Sequence, residues 1–277
     1  MHLLALKTSR RTALLLTVVT LTGCRTGRNY VSPEGPRYAG SPRPGRTTDQ
    51  ADSTRLRVVS FNIAFARQVD SAIALLTSDP ALRGADVVLL QEMDEKATGR
   101  IAEALGLGYV YYPAVLAFRT QRPFGNAVLS RWPIVADGKI LLPHVSRFAR
   151  TQRTATAATI RVGSRLVRVY STHLGTMTDL TPASRREQLQ TILADAASYP
   201  RVVIGGDMND EGVGQLAREM GYSWPTQHGP STHILGRLDH IFVRGLTSPD
   251  HGAVGTVLDS RGSSDHLPVW AVATLDD

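Results

Sequence analysis

The chain has 277 residues, of which 42% are hydrophobic and 20% are charged, so it can bury a sizeable core and is too apolar for a disordered or fibrous protein. Its formal net charge of +7 invites a nucleic-acid-binding interpretation. Most of that excess lies before residue 56, however, and the rest of the chain is nearly neutral. The charge therefore says little about what the folded part binds.

The first 23 residues have the layout of a secretory signal peptide. Basic residues up to Arg11 precede an apolar run over 13–21, which is too short for a comfortable membrane span. The run ends in Leu21-Thr22-Gly23-Cys24, which resembles a bacterial lipobox, whose cysteine is lipidated and becomes the first residue of the mature chain. We therefore predict lipidation of Cys24 and an exported protein anchored in a membrane, at the periplasmic face or the cell surface. A soluble enzyme with an ordinary signal and a chance cysteine is the alternative, and export by the Sec or the twin-arginine route stays open.

Residues 24–54 are rich in Arg, Pro, Gly, Ser and Thr and show no apolar periodicity. This composition predicts a flexible tether between Cys24 and a domain over 55–277.

From residue 56 onward, short apolar runs alternate with helical patterns. Apolar spacing predicts helices over 68–82 and 184–197. The pair 156–162 and 165–172, joined by Gly163-Ser164, predicts an antiparallel hairpin. One α/β domain with mixed sheets is the simplest architecture. The predicted strands are 56–62, 85–91, 124–130, 156–162, 165–172, 201–206, 238–243 and 267–274.

Strong polar side chains stand at the ends of these strands. Strands that end in a carboxylate, an amide or an imidazole indicate side chains converging on one edge of a sheet, where a hard cation such as Mg²⁺ finds oxygen ligands. Each residue taken alone is an ordinary turn residue, and only the whole set favours a site. The set is Asn62, Glu92, His173, Asp207, Asn209, Asp239, Asp265 and His266.

The order of these residues resembles the endonuclease/exonuclease/phosphatase superfamily. The resemblance covers about residues 56–274. It implies the fold of that superfamily, a four-layered α/β sandwich of two packed mixed, largely antiparallel sheets flanked by helices. The motifs that carry it are Ser60-Phe61-Asn62, Leu90-Gln91-Glu92, Gly125-Asn126-Ala127-Val128-Leu129-Ser130-Arg131, Ser171-Thr172-His173-Leu174, Gly206-Asp207-Met208-Asn209, Leu238-Asp239-His240-Ile241 and Ser264-Asp265-His266.

The resemblance implies a role for each of these positions. Asn62 and Glu92 bind Mg²⁺ or Mn²⁺, with Asp265 close by. His266 handles the proton of the attacking water and is oriented by Asp239. Asp207 and Asn209 position the nucleophile and stabilise the transition state, while His173 meets the phosphate. Arg185 and Gln188 fit an Arg-x-x-Gln pattern of many members, which we interpret as structural.

A stretch without acidic residues, between Asp137 and Asp179, bears on the substrate. Arg147, Arg150 and Arg153 lie in a predicted loop before a strand and could grip a second phosphate or a nucleic-acid backbone. A merely solvated basic face is the alternative. We add Asn126, from the Gly125–Arg131 motif, to these candidate substrate-binding residues.

These features predict a hydrolase acting on ester bonds, a metal-dependent phosphodiesterase, nuclease or phosphatase that works as a monomer outside the cytoplasm, and the choice between monoester and diester stays open. The substrate class stays open among nucleic acid, nucleotide and phospholipid head group. Nothing resembles the long apolar hairpin of some membrane-acting sphingomyelinases, which argues against a lipid substrate. A head-group hydrolase and a catalytically silent binding module of the same fold are the alternatives.

Overall fold

The computed structural model describes residues 26–42, 54–247 and 253–275. The predicted signal peptide and Cys24 lie outside these residues. Among the described residues, no helix is both long enough and apolar enough to cross a bilayer. The strands and helices, in chain order, are β1 (Gly27–Asn29), β2 (Tyr38–Gly40), β3 (Arg55–Asn62), α1 (Val69–Ser78), β4 (Val87–Met93), α2 (Glu95–Leu105), β5 (Gly108–Ala117), β6 (Arg122–Ser130), β7 (Ile134–Val145), β8 (Gln152–Val162), β9 (Arg165–His173), α3 (Pro182–Ala196), β10 (Val202–Asp207), α4 (Val213–Glu219), β11 (Asp239–Arg244), β12 (Val254–Thr256) and β13 (Val269–Thr274).

Two mixed sheets form the centre of the domain. The first has the order β1-β5-β6-β4-β3-β13-β12, with β2 also paired to β5, and the second has the order β11-β10-β9-β8-β7. Only β3 with β4 and β9 with β10 run parallel, and the other pairs are antiparallel. The predicted class of mixed, largely antiparallel sheets is confirmed.

Three apolar clusters arrange the molecule in four layers. Side chains alternate across each strand, so Val58 faces the second sheet while Val59 faces the helices. The cluster between the sheets joins residues such as Leu89 and Val169. The outer faces are covered by α1 and α2 on one side and by α3 and α4 on the other. The four-layered sandwich is therefore confirmed.

The eight predicted strands are confirmed as β3, β4, β6, β8, β9, β10, β11 and β13, and the two helices as α1 and α3. Helix α1 ends at Ser78, earlier than predicted, because Pro80 lacks an N–H and restricts the residue before it. Strand β5 escaped prediction because Pro113 interrupts its pattern, and the structure places this proline at an irregularity between Pro113 and Val115.

Part of the segment expected to be a tether is folded onto the domain. Within 24–54, β1 and β2 both pair with β5, so the tether prediction is wrong for residues 26–42. The segment is held by its backbone, since Lys139 Nζ donates to the carbonyls of Tyr30 and Gly35 at 2.9 and 2.8 Å. Because contacts to the backbone need no apolar side chains at regular spacing, this segment shows no apolar periodicity in its sequence.

Candidate functional site

Strand pairing brings the polar ends of both sheets to one edge. Asp207, at the end of β10, pairs with His173 of β9 on one side and with Asp239 of β11 on the other. In the first sheet, Asn62 at the end of β3 pairs with Gln91, which directly precedes Glu92. Asn62 Nδ2 donates to Asp207 Oδ2 at 3.0 Å and joins the two sheets. The strand register thus brings these polar side chains together at one edge of the sheets, as the sequence predicts.

His266 and Asp239 form a buried hydrogen-bonded pair. The distance from His266 Nδ1 to Asp239 Oδ2 is 2.8 Å. Burial alone would lower the pKa of His266, but the hydrogen bond and charge of Asp239, together with the charge of Asp207, raise it to about 9. The imidazole is thus oriented by a carboxylate, as an acid–base catalyst requires.

Thr232 completes this pair, and sequence reasoning missed it. Its Oγ1 donates to Asp239 Oδ2 at 2.6 Å and accepts from the Asp239 N–H at 3.1 Å. Thr232 lies in a loop without apolar periodicity, and it reaches Asp239 only through the fold.

Asp207 stands at the centre of the cluster. Its Oδ2 lies 3.3 Å from His173 Nε2 and 3.6 Å from His266 Nε2, while Oδ1 accepts from the Asn209 N–H at 2.9 Å. Burial and the neighbouring Asp239 raise the pKa of Asp207 above its usual range. Asp207 is thus the carboxylate that links His173, His266 and Asn209.

Gly206 explains how the backbone reaches this position. A Cβ atom at residue 206 would lie 1.9 Å from the Thr172 carbonyl oxygen, so only glycine fits beside β9.

Glu92 and His173 present two hydrogen-bond acceptors to the same space. Glu92 Oε1 lies 3.6 Å from His173 Nδ1, and that nitrogen is buried without a hydrogen-bond partner among the described residues. Burial raises the pKa of Glu92. Burial, together with the charges of Arg153 and His266, lowers the pKa of His173 well below its usual range, so the ring is neutral. Nδ1 of the neutral His173 ring and the Glu92 carboxylate face each other. Together they form a place for a cation.

A strained turn holds the two predicted metal ligands. Residues Ala64–Ala66 have positive φ angles, which non-glycine residues rarely adopt. The turn directs the Ala64 N–H to Asn62 Oδ1 at 3.0 Å and the Phe65 N–H to Glu92 Oε2 at 2.9 Å. Asn62 and Glu92 are thereby fixed at the mouth of the site.

The third predicted ligand, Asp265, lies at the rim of the site. Its side chain is 67% exposed, and its Oδ2 is 3.9 Å from His233 Nε2. The His233 ring stacks on that of His266, with centroids 4.7 Å apart. His233 was not predicted, because nothing in its sequence surroundings marks it.

A divalent ion fits the residues present. A buried group of Asp207, Asp239 and His266 has ligand atoms within 4.8 Å of one another and could bind a metal. Within that group, His266 Nδ1 and Asp239 Oδ2 are already joined by a hydrogen bond. His173 Nδ1, beside Glu92 Oε1, has no hydrogen-bond partner among the described residues, so the position beside Glu92 and Asn62 also suits an ion.

Of the four candidate substrate-binding residues, only Arg153 lines the cleft that opens beside Glu92. It lies in β8 rather than in the predicted loop, and its Nε is buried without a hydrogen-bond partner among the described residues. Arg147 and Arg150 are exposed in the loop before β8, where Arg147 stacks over Phe148. The buried Asn126 amide donates to the Thr154 carbonyl at 2.7 Å, which ties the sheets together.

Arg153 lines a cleft of about 580 Å³ that opens beside Glu92. Phe65 and Phe124 form an edge-to-face pair in its wall. The charged residues that line it are Arg67, Arg119, Arg122 and Arg153, against Glu92 and Asp179. The balance favours a phosphate-bearing ligand.

Arg185 and Gln188 have structural roles, as expected. Arg185 Nε donates to Asp210 at 2.9 Å, and Gln188 accepts from the Gly175 N–H at 2.9 Å. Both brace the loop that follows His173.

A profile of the Endonuclease/Exonuclease/phosphatase family matches residues 59–266. The chain belongs to this family. Members of the family hydrolyse phosphate esters, which agrees with a site built from buried carboxylates and imidazoles. No curated protein matches the chain significantly.

Solved structures share the fold at low sequence identity. D. rerio TDP2 complexed with a single-strand DNA product is 19% identical, with a TM-score of 0.63 over 80% of this chain and 100% of that one. Sphingomyelinase C from Streptomyces griseocarneus is 18% identical, with a TM-score of 0.59 over 79% and 99%. The catalytic domain of human Nocturnin with a bound sulfate anion is 20% identical, with a TM-score of 0.59 over 86% and 97%.

Proposed function

We propose that this protein hydrolyses phosphodiesters in a metal-dependent reaction in which His266 handles the proton of the attacking water. The observation that carries the proposal is the His266–Asp239 pair, set 3.6 Å from Asp207. Beside it lie Glu92 Oε1 and His173 Nδ1, and that nitrogen has no hydrogen-bond partner among the described residues. Mg²⁺ or Mn²⁺ at Glu92 and Asn62 would polarise a phosphoryl oxygen and stabilise the leaving oxyanion.

The residues of the chain divide the remaining work. Because Nδ1 of His266 is committed to Asp239, Nε2 is the nitrogen that exchanges a proton with water. Asp207 and Asn209 orient that water. The buried guanidinium of Arg153 offers donors to a non-bridging phosphate oxygen, and the cost of its desolvation is offset when the phosphate binds. Asp265, which lies at the rim beside His233, would be the third oxygen donor for such an ion.

We also propose that the enzyme works outside the cytoplasm, anchored through lipidated Cys24. The sequence over 1–24 supports this, because a short basic and apolar segment ends in the only cysteine of the chain.

The proposal is tested with bis-p-nitrophenyl phosphate, p-nitrophenyl phosphate, plasmid DNA and phospholipid vesicles, each in Mg²⁺ or in EDTA. We expect turnover that needs metal and that falls at least about a thousandfold in His266→Ala. Asp70→Asn is the matched control, since Asp70 lies in an exposed ion pair with Arg100. A folded protein that turns over none of these substrates would instead be a silent binding module.

A further inference from the structure

The folded N-terminal segment reaches the mouth of the cleft. The Thr26 N–H and Oγ1 both donate to the Ala149 carbonyl, at 3.3 and 3.1 Å, and the Phe118 N–H donates to the Thr26 carbonyl at 2.9 Å. Thr26 also lines the cleft that contains Glu92 and Arg153. The chain therefore enters the domain at the edge of the proposed active site.

This position fixes where a lipid on Cys24 would be attached. Two peptide units separate Cys24 from Thr26, and a chain of that length spans at most about 7 Å. A lipid at Cys24 would therefore hold the mouth of the cleft within a few ångströms of the bilayer, whereas a free tether of 31 residues would leave the domain to tumble.

The surface around Thr26 has the character of a membrane-contacting face. The Phe118 N–H donates to the Thr26 carbonyl, and Phe148 directly precedes Ala149, whose carbonyl accepts from Thr26. The side chains of Phe118 and Phe148 are 46% and 62% exposed. Arg119 lines the cleft, and Arg147 covers the ring of Phe148. Exposed aromatic side chains beside arginines suit the interface of a bilayer, where rings enter the head-group region and guanidinium groups meet lipid phosphates.

We propose that the face formed by Thr26, Phe118, Arg119, Arg147 and Phe148, called here the anchor face, rests on an anionic phospholipid bilayer. The cleft then opens toward lipid head groups, and the substrate is the phosphodiester of a phospholipid. The absence of an apolar hairpin in the sequence argued against a lipid, but here the exposed rings of Phe118 and Phe148 supply the apolar contact instead. This inference rests on the proposed hydrolysis of phosphodiesters and on lipidation of Cys24.

The anchor face favours a bilayer over a nucleic-acid duplex for two reasons. A duplex is bound chiefly through its phosphates by basic side chains and offers no apolar partner to the exposed rings of Phe118 and Phe148. The folded part of the chain is also nearly neutral, so its basic residues act locally.

The orientation is tested with a fluorophore attached to the full, lipidated chain. Cys24 is the only cysteine, and lipidation consumes its thiol, so Phe148→Cys and Leu166→Cys can each be labelled at one site with NBD. Leu166 is 46% exposed and lies at the start of β9, at the opposite end of the strand from His173. In phosphatidylglycerol–phosphatidylcholine vesicles that contain nitroxide lipids, we expect strong quenching at 148 and little at 166. Equal quenching at the two positions overturns the proposal.

The substrate is tested by comparing lipid and soluble esters. In the double variant Phe118→Ser/Phe148→Ser, we expect hydrolysis of vesicle phospholipid to fall about tenfold, while turnover of bis-p-nitrophenyl phosphate is unchanged. Leu166→Ser should alter neither rate. If the wild-type protein cleaves DNA and the soluble ester but no vesicle lipid, the membrane proposal fails and the proposed hydrolysis stands. Absence of all turnover, with quenching at 148, would refute the hydrolysis and leave the orientation.

Discussion

Replacing Asp239 by asparagine tests how the catalytic imidazole is controlled. The carboxylate lies 2.8 Å from His266 Nδ1 in a buried site. At an effective dielectric constant of about 20, that separation corresponds to an ion-pair energy of about 6 kcal/mol before desolvation. Neighbouring charges of this kind usually shift a pKa by about one to three units. We expect the pKa of His266 to fall from about 9 by that amount in Asp239→Asn.

The rate should fall further than the pKa change alone requires. An amide cannot stabilise the imidazolium form of His266 as the carboxylate does, and it no longer fixes the orientation and tautomer of the ring, so kcat should drop by about 10³–10⁴.

Nitrogen-detected NMR titration of His266 measures the pKa without any substrate, and hydrolysis of bis-p-nitrophenyl phosphate measures the rate. Asp70→Asn is the control for both. An unchanged pKa together with an unchanged kcat would refute the assignment of Asp239 as the orienting residue.

Three further predictions concern stability. His240 is fully buried against Trp224, and burial lowers its pKa to about 3. Below pH 6.5 this residue therefore binds a proton in the unfolded chain but not in the folded chain. The free energy of unfolding falls for this reason as the pH falls from 6.5 toward 3. Between pH 7 and pH 5, urea denaturation should show a change in stability that is about 2 kcal/mol less unfavourable in His240→Phe than in the wild type, since the other histidines titrate in both chains, and an equal change in both would contradict this origin. Gly206→Ala should lower the free energy of unfolding by at least about 3 kcal/mol because of its clash with the Thr172 carbonyl, and a thermal midpoint equal to that of the wild type would rule out the close approach. At a hundred times its dissociation constant, Mn²⁺ should raise the free energy of unfolding by about 2.7 kcal/mol relative to EDTA, and the accompanying rise in thermal midpoint should be missing in Glu92→Gln.

The fold could largely be predicted because its central strands are continuous apolar runs. Strands β3 and β10 are mostly buried and end in Asn62 and Asp207, and Glu92 is the penultimate residue of β4, so sequence position alone indicated these three residues as neighbours. Helix α2 was missed although its signals were present: Asp94 caps it by accepting from the Ala97 N–H, and Gly106 ends it in a left-handed conformation.

Other features could not be predicted, because they depend on contacts between distant segments. Thr232 and His233 meet the catalytic pair only after a loop folds back over β11, and neither belongs to a periodic pattern. The N-terminal strand β1 is stabilised by backbone pairing and close approach. A Cβ at Gly27 would lie 2.7 Å from the Leu116 carbonyl oxygen. A segment rich in proline, glycine and arginine that folds in this way resembles a linker in composition.

The most direct test of the proposed site is metal binding by the isosteric variant Glu92→Gln. Calorimetric titration with Mn²⁺, followed by the rate of bis-p-nitrophenyl phosphate hydrolysis on the same samples, compares this variant with the wild type. We predict that the wild-type chain binds Mn²⁺ and turns over the ester, and that Glu92→Gln keeps its fold while losing both. A variant that binds the ion and hydrolyses the ester as the wild type does would contradict a metal site at Glu92 and, with it, the proposed mechanism.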